Sequence, residues 1–197
     1  MKAIITTKYG APEVLELKEV EKPTPKSNQA LVKVHAASVN KVDLHLLKGY
    51  FLARLSGEGF LKPKRKTLGS DIAGRVEAVG NNVKQFQPGD EVFGFCVGAF
   101  AEFACAREDL LVSKPRNVTF EEAAATPLAG LTALQGLRNH GQIQAGQKVL
   151  INGASGGVGT FAVQIAKIFG AEVTAVCSTG KMDVVRAIGA DHVIDYT

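Results

Sequence analysis

Over residues 1–115 the apolar positions come in short runs, most of them alternating with polar ones. Ala3-Ile4-Ile5 opens the first, ended by Tyr9-Gly10-Ala11-Pro12, and Val14–Leu17 is the second. Ala30–Ala36 alternates as a half-buried strand should, after a loop at Lys22-Pro23-Thr24-Pro25-Lys26. Residues 42–48 fit a short helix, and 49–66 form a looser stretch with a basic cluster. Ile72–Gly80 and Glu91–Gly94 resume the strand pattern, with turns at Asn81-Asn82 and Gln87-Pro88-Gly89-Asp90. Short strands at close spacing with Gly/Pro turns predict a small, barrel-like β domain.

The period then changes. Phe120–Leu137 reads as two helical pieces, interrupted around Pro127 and Gly130, with Thr119 available as an N-cap. From Gln147 onward strand and helix alternate. Lys148–Asn152 is a strand, and Gly157–Phe169 a helix stopped by Gly170. Glu172–Cys177 is a strand, Lys181–Ile188 a short helix stopped by Gly189, and His192–Asp195 a third strand. Such a βαβαβ unit demands a parallel sheet with right-handed crossovers. The expected class is α/β, with a β domain over 1–115 and the βαβαβ unit, preceded by linking helices, over 116–197.

Composition narrows the function classes. A net charge of +4 across 197 residues is mild, and the basic run Lys62-Pro63-Lys64-Arg65-Lys66 lacks the aromatic interleaving of a nucleic-acid surface. It is read as a solvated loop. No run approaches the ~18 apolar residues of a membrane span. The three cysteines, Cys96, Cys105 and Cys177, are odd in number and include no C-x-x-C pair. Neither a disulfide framework nor a structural zinc loop follows from them. Cys96 and Cys105 read as small core residues, His35 as structural, and His140 and His192 show no metal spacing. The opening MKAIITTKYG reads as strand rather than signal peptide, so a reducing, cytoplasmic setting is expected.

The strongest chemical signal is Gly153-Ala154-Ser155-Gly156-Gly157-Val158-Gly159, directly after a strand and opening a helix. Small residues let the main chain turn tightly and approach a pyrophosphate, and the helix N-terminus offers free N–H groups and a positive dipole end. Ser155, Gly156, Gly157 and Val158 are the candidate phosphate contacts. Ala154 takes the first glycine slot of the usual dinucleotide pattern. The end of the second strand decides which dinucleotide binds, because NAD sites place Asp or Glu there for the ribose 2′-hydroxyl. Here that slot reads Val176-Cys177-Ser178-Thr179-Gly180-Lys181. Two hydroxyls and an ammonium suit a 2′-phosphate, which predicts NADPH.

At this point the chain resembles the medium-chain dehydrogenase/reductase superfamily, specifically its quinone oxidoreductase branch. The resemblance runs the whole length. It rests on Ala37-Ser38-Val39-Asn40-Lys41-Val42-Asp43, Leu68-Gly69-Ser70-Asp71-Ile72-Ala73-Gly74-Arg75-Val76 and Gln87-Pro88-Gly89-Asp90-Glu91-Val92. Ala99-Phe100-Ala101-Glu102-Phe103, Ala124-Ala125-Thr126-Pro127, Leu131-Thr132-Ala133 and the glycine loop complete it. The resemblance implies a GroES-like domain followed by a Rossmann domain, with the active cleft between them. By it, Asn40 and Asp43 line the substrate side and Thr132 lies near the nicotinamide. Gly156, Gly157 and Val158 face the pyrophosphate, while Ser178, Lys181 and Tyr196 surround the adenosine phosphate. His45 takes a slot that holds Tyr in some relatives and is either a polar cleft residue or a structural one.

Asn40 and Ser70 stand where the zinc-dependent alcohol dehydrogenases of this superfamily carry a cysteine and a histidine. The implied reaction is therefore metal-free hydride transfer from NADPH to a quinone, enone or similar alkene, with Asn40 orienting the substrate and stabilising its oxyanion. A doubly wound fold has six strands, and the pattern here ends after the third, the half that binds adenine. The expectation is a reductase active as part of a longer chain, with self-association through the uncovered sheet edge. A non-catalytic nucleotide-binding or partner-binding protein is the alternative.

Overall fold

In the computed structural model, which describes residues 1–51 and 59–197, the chain forms two units, Met1–Pro127 and Leu128–Thr197. Part of the loose 49–66 stretch lies outside the described residues.

In the first unit, β1 (Lys2–Ile5) and β2 (Glu16–Glu19) form an antiparallel ribbon. The second predicted strand begins later than the sequence pattern indicates, because Pro12–Val14 makes a 3-10 turn before it. β3 (Gln29–Ser38), β4 (Asp71–Val79), β5 (Glu91–Phe95), β6 (Phe103–Arg107) and β7 (Leu111–Ser113) form an antiparallel sheet ordered β6-β3-β4-β5-β7. β6 and β7 are short and were not apparent from the pattern. No ladder joins them among the described residues, so the barrel-like expectation becomes an open sheet with a separate ribbon. Isolated bridges, Ala3 to Ala101 and Ile5 to Thr67, tie the ribbon to neighbouring loops.

Alternation along these strands builds the core. Ala30, Val32, Ile72, Val76, Val92, Ala104 and Leu111 point inward, joined by Phe86 and Cys96. Cys96 is thus the core residue its composition suggested, whereas Cys105 is only partly buried. A short helix α1 (Lys41–Lys48) follows β3 and ends where Gly49 turns left-handed, φ +61°. A Cβ at Gly49 would strike the Tyr9 ring at 2.4 Å.

α2 (Phe120–Ala124) is capped by Thr119, which accepts from the Glu122 N–H while Glu122 accepts from the Thr119 N–H. This helix, placed with the second domain by the pattern, packs on the first: Ala123 and Ala124 bury against Ala73. His35 stacks on Phe120 with ring centroids 4.3 Å apart, a structural role for that histidine. By contacts, the first unit runs through α2 to Pro127.

The second unit opens with α3 (Pro127–Leu134) and a π-helical turn over Gln135–His140. β8 (Lys148–Asn152), α4 (Gly157–Ile168), β9 (Glu172–Cys177), α5 (Met182–Ala187) and β10 (His192–Asp195) follow. The three strands are parallel in the order β10-β9-β8. Val163, Ala166, Val173, Ala175, Cys177 and Val185 fill the space between sheet and helices. The helix expected from Lys181 begins instead as a 3-10 turn, Thr179–Lys181. Together the antiparallel sheet and the parallel βαβαβ unit are the α/β class read from the sequence.

Candidate functional site

The candidate residues fall into two groups, one in each unit. In the second unit the chain leaves β8 through Gly153, whose φ of +69° is the left-handed conformation glycine adopts without strain. The Gly156 N–H closes the turn on the Gly153 carbonyl at 2.9 Å. Ala154, the departure from the dinucleotide pattern, is fully buried, and its N–H bonds the Val176 carbonyl at 3.0 Å. Its methyl belongs to the core.

Gly156 is the N-cap of α4, and no side chain caps that helix. Gly157 and Val158 are exposed, Ser155 is half-buried, and Gly157 has open space where a Cβ would stand. Gly159 is different. Its Cβ would meet the Gly153 carbonyl oxygen at 2.2 Å, so glycine there allows the helix to sit on the turn. The loop is thus an uncapped helix N-terminus beside open space, the arrangement that receives an anion.

At the end of β9, Ser178 begins the 3-10 turn and its carbonyl accepts from the Lys181 N–H at 2.9 Å. The Lys181 side chain is exposed, as are Thr179 and Tyr196. Parallel pairing sets Asp195 of β10 opposite Cys177 of β9. The Thr179 hydroxyl lies 2.6 Å from Asp195 Oδ2, and the Thr197 N–H and hydroxyl also reach Asp195. These hydrogen bonds, Thr179 first, hold the Asp195 carboxyl down at about 2. The β9 slot has no carboxylate of its own, but the next strand brings one beside it. The linear pattern concealed Asp195, because its partner lies 16 residues away and only sheet pairing joins them. Thr132 lies exposed on α3, where its hydroxyl donates to the Leu128 carbonyl at 2.6 Å, a backbone-directed use of that side chain.

The first unit holds Asn40 and Asp43 together at the start of α1. The Asn40 N–H donates to Asp43 Oδ2 at 2.8 Å, half of a capping box. Asp43 is 3% exposed, and its Oδ1 has no hydrogen-bond partner among the described residues. Burial pushes the Asp43 carboxyl above its usual range, against the opposing pull of the Asn40 and Gly69 N–H groups and Ser70. The Asn40 side chain turns the other way. Its Nδ2 lies 3.0 Å from Ser38 Oγ and 3.0 Å from Asp71 Oδ2, and the Ser38 hydroxyl donates to the same Asp71 oxygen at 2.9 Å. Asp71 is fully buried and was not among the sequence candidates. His45 is exposed and sets its ring edge-on to Tyr50, centroids 5.1 Å apart.

Among the described residues no three His, Cys, Asp or Glu side chains gather as a metal site, and no helix is long and apolar enough to cross a membrane.

Comparison with known proteins places both units. Residues 26–116 match the alcohol dehydrogenase GroES-like domain, and 157–197 match the model described as zinc-binding dehydrogenase. A chloroplast envelope quinone oxidoreductase homolog of Arabidopsis thaliana is 42% identical, spanning 100% of this chain and 61% of that protein. A mitochondrial NAD(P)H oxidoreductase of Mus musculus is 39% identical, again over 100% of this chain but 54% of its own length. The quinone oxidoreductase of Coxiella burnetii superposes with a TM-score of 0.91 at 37% identity, covering 100% of this chain and 62% of that one. A mycobacterial structure complexed with NADPH gives 0.89 at 32% identity, over 100% of this chain and 59% of that one. The chain therefore spans somewhat more than half the length of these relatives, and it belongs to the medium-chain dehydrogenase/reductase superfamily, in the quinone oxidoreductase-like branch.

Proposed function

We propose that this chain supplies the substrate-side and adenosine-side parts of an NADPH-dependent reductase. Its acceptor would be a quinone, an enone or a similar activated alkene, reduced without zinc, and its activity would be that of a longer chain. The observation that carries this reading is the uncapped start of α4 beside the open space at Gly157. Bound there, NADPH would supply the hydride. The N–H groups of Gly157 and Val158 would hold the pyrophosphate, with Ser155 beside them. Ser178, Thr179, Lys181 and Tyr196 would surround the adenosine phosphate. Thr132 would lie on the nicotinamide side, and Asn40 and Asp43 on the substrate side.

The zinc-free reading is supported by the residues at positions 40 and 70. Asn40 and Ser70 replace thiolate and imidazole, and Asn40 is already committed to Ser38 and Asp71. The free cysteines support a reducing setting such as the cytoplasm, although the curated relatives named above are chloroplast and mitochondrial proteins.

Calorimetric titration of the chain with NADPH and NADH tests the cofactor. NADPH should bind more tightly, and Lys181→Ala should weaken it by about 1–2 kcal/mol while sparing NADH. An equal loss for both would refute the assignment to the 2′-phosphate. Asp195 favours a second outcome, because a carboxylate beside Thr179 suits a ribose hydroxyl. If NADH binds as tightly as NADPH and Asp195→Asn selectively improves NADPH, Asp195 rather than Lys181 sets the preference. Elemental analysis of protein purified without added metal should find no stoichiometric zinc.

A further inference from the structure

Asn40 stands at the junction of β3 and α1, and its amide has two chemically opposite ends. Which end is offered to a ligand depends on what holds the other. The antiparallel register of β3 and β4 pairs Ser38 with Asp71. Asp71 Oδ2 receives the Ser38 hydroxyl at 2.9 Å, so Ser38 Oγ is left to accept. The Asn40 side-chain atom 3.0 Å from both Ser38 Oγ and Asp71 Oδ2 must therefore be a donor. With the amide reversed, its carbonyl oxygen would face the carboxylate oxygen at that distance, acceptor against acceptor.

We propose that Asp71 is a positioning residue that, through Ser38 and directly, holds the Asn40 amide nitrogen inward, so that Asn40 offers a ligand its carbonyl oxygen. The Asp43 N–H donates to the Asn40 backbone carbonyl at 3.1 Å, and the side-chain oxygen, with two lone pairs, can only accept. Its chemical partner is a ligand hydrogen-bond donor, a hydroxyl or an amide N–H. The Asp71 carboxylate behind the nitrogen makes this a poor place for a developing oxyanion, which revises the oxyanion role expected of Asn40. The inference rests on Asn40 facing substrate, but the orientation itself is measurable without any activity.

The test uses the 197-residue chain labelled with nitrogen-15. The Asn40 side-chain amide signals, assigned by their loss in Asn40→Asp, should exchange slowly with water and show contacts to the Ser38 β-protons. Asp71→Ala should speed that exchange at least tenfold, and the conservative Asp71→Asn, which keeps an acceptor oxygen, should restore most of the protection. Unfolding measurements supply a second readout that survives poor folding of one variant. Asn40→Asp alone sets two carboxylates face to face. In the Asp71→Asn background the pair is exchanged, donor for acceptor, so Asn40→Asp should cost at least tenfold less in the unfolding equilibrium there than in the native background. Amide protons that exchange as in a free asparagine and show no contact to Ser38 would overturn the proposal. So would an equal cost of Asn40→Asp in both backgrounds. Failure of the chain to bind NADPH would count against the proposed function alone and leave this assignment standing.

Discussion

Gly159→Ala should separate the structural part of the glycine loop from its ligand-facing part. The added methyl would stand 2.2 Å from the Gly153 carbonyl oxygen and 2.7 Å from the Ala154 Cα. Both are backbone atoms of a tight turn, so no flexible side chain can yield. Restoring ordinary contact requires a shift of roughly 1 Å between α4 and the turn, and overpacking of this kind costs about 1–3 kcal/mol. In a unit the size of Leu128–Thr197 that corresponds to a fall in melting temperature of roughly 5–20 °C. The control is Gly157→Ala two residues earlier. Nothing lies within 4 Å of its Cβ, so the methyl meets no protein atom, and restricting the unfolded chain should hold stability level or raise it by about 0.4–1 kcal/mol. That same methyl would enter the space assigned to the pyrophosphate, so NADPH affinity should fall at least tenfold. Thermal unfolding followed by circular dichroism, beside titration with NADPH, reads both effects. A Gly159→Ala protein that melts with the wild type would refute the packing argument. A Gly157→Ala protein that binds NADPH normally would refute the placement of the phosphate.

Two further outcomes follow from the same geometry. Burial raises the Asp43 carboxyl, so the folded state holds that proton more tightly than the unfolded chain; this contribution is full at low pH and is lost as pH rises from the ordinary value of 3.8 through the raised one. Asp43→Asn keeps an acceptor for the Asn40 N–H and should gain stability relative to wild type as pH rises through that window, measured by urea unfolding; no change in the difference with pH would mean that Asp43 does not titrate as described. β8 is the edge strand of its sheet, with Leu150 63% exposed, so the isolated chain should self-associate or be poorly soluble, and it should oxidise no NADPH; a stable monomer by light scattering that turns over quinone would contradict both halves.

Much of this molecule was legible along the chain. The bounds of β8, β9 and β10 agree with the alternating pattern, because a βαβαβ unit is punctuated locally by glycines at each helix end. The glycine loop announced itself by composition and place. β6 and β7 were missed, being short and flanked by no distinctive turn. That α2 packs on the first unit was not legible, since a helix of five residues says nothing of which sheet its alanines will meet. Ser178 and Lys181 could be named from type and from their place after the second parallel strand, and Asn40 only from the family resemblance. Their partners could not. Asp71 reaches Asn40 through the register of β3 on β4, and Asp195 reaches Thr179 through the parallel pairing of β10 on β9. Turn chemistry, caps and apolar period act over a few residues and are written in linear order. Which carboxylate stands behind an amide, or beside a phosphate slot, is decided by strand pairing between distant segments, and that exists only once the sheets have formed.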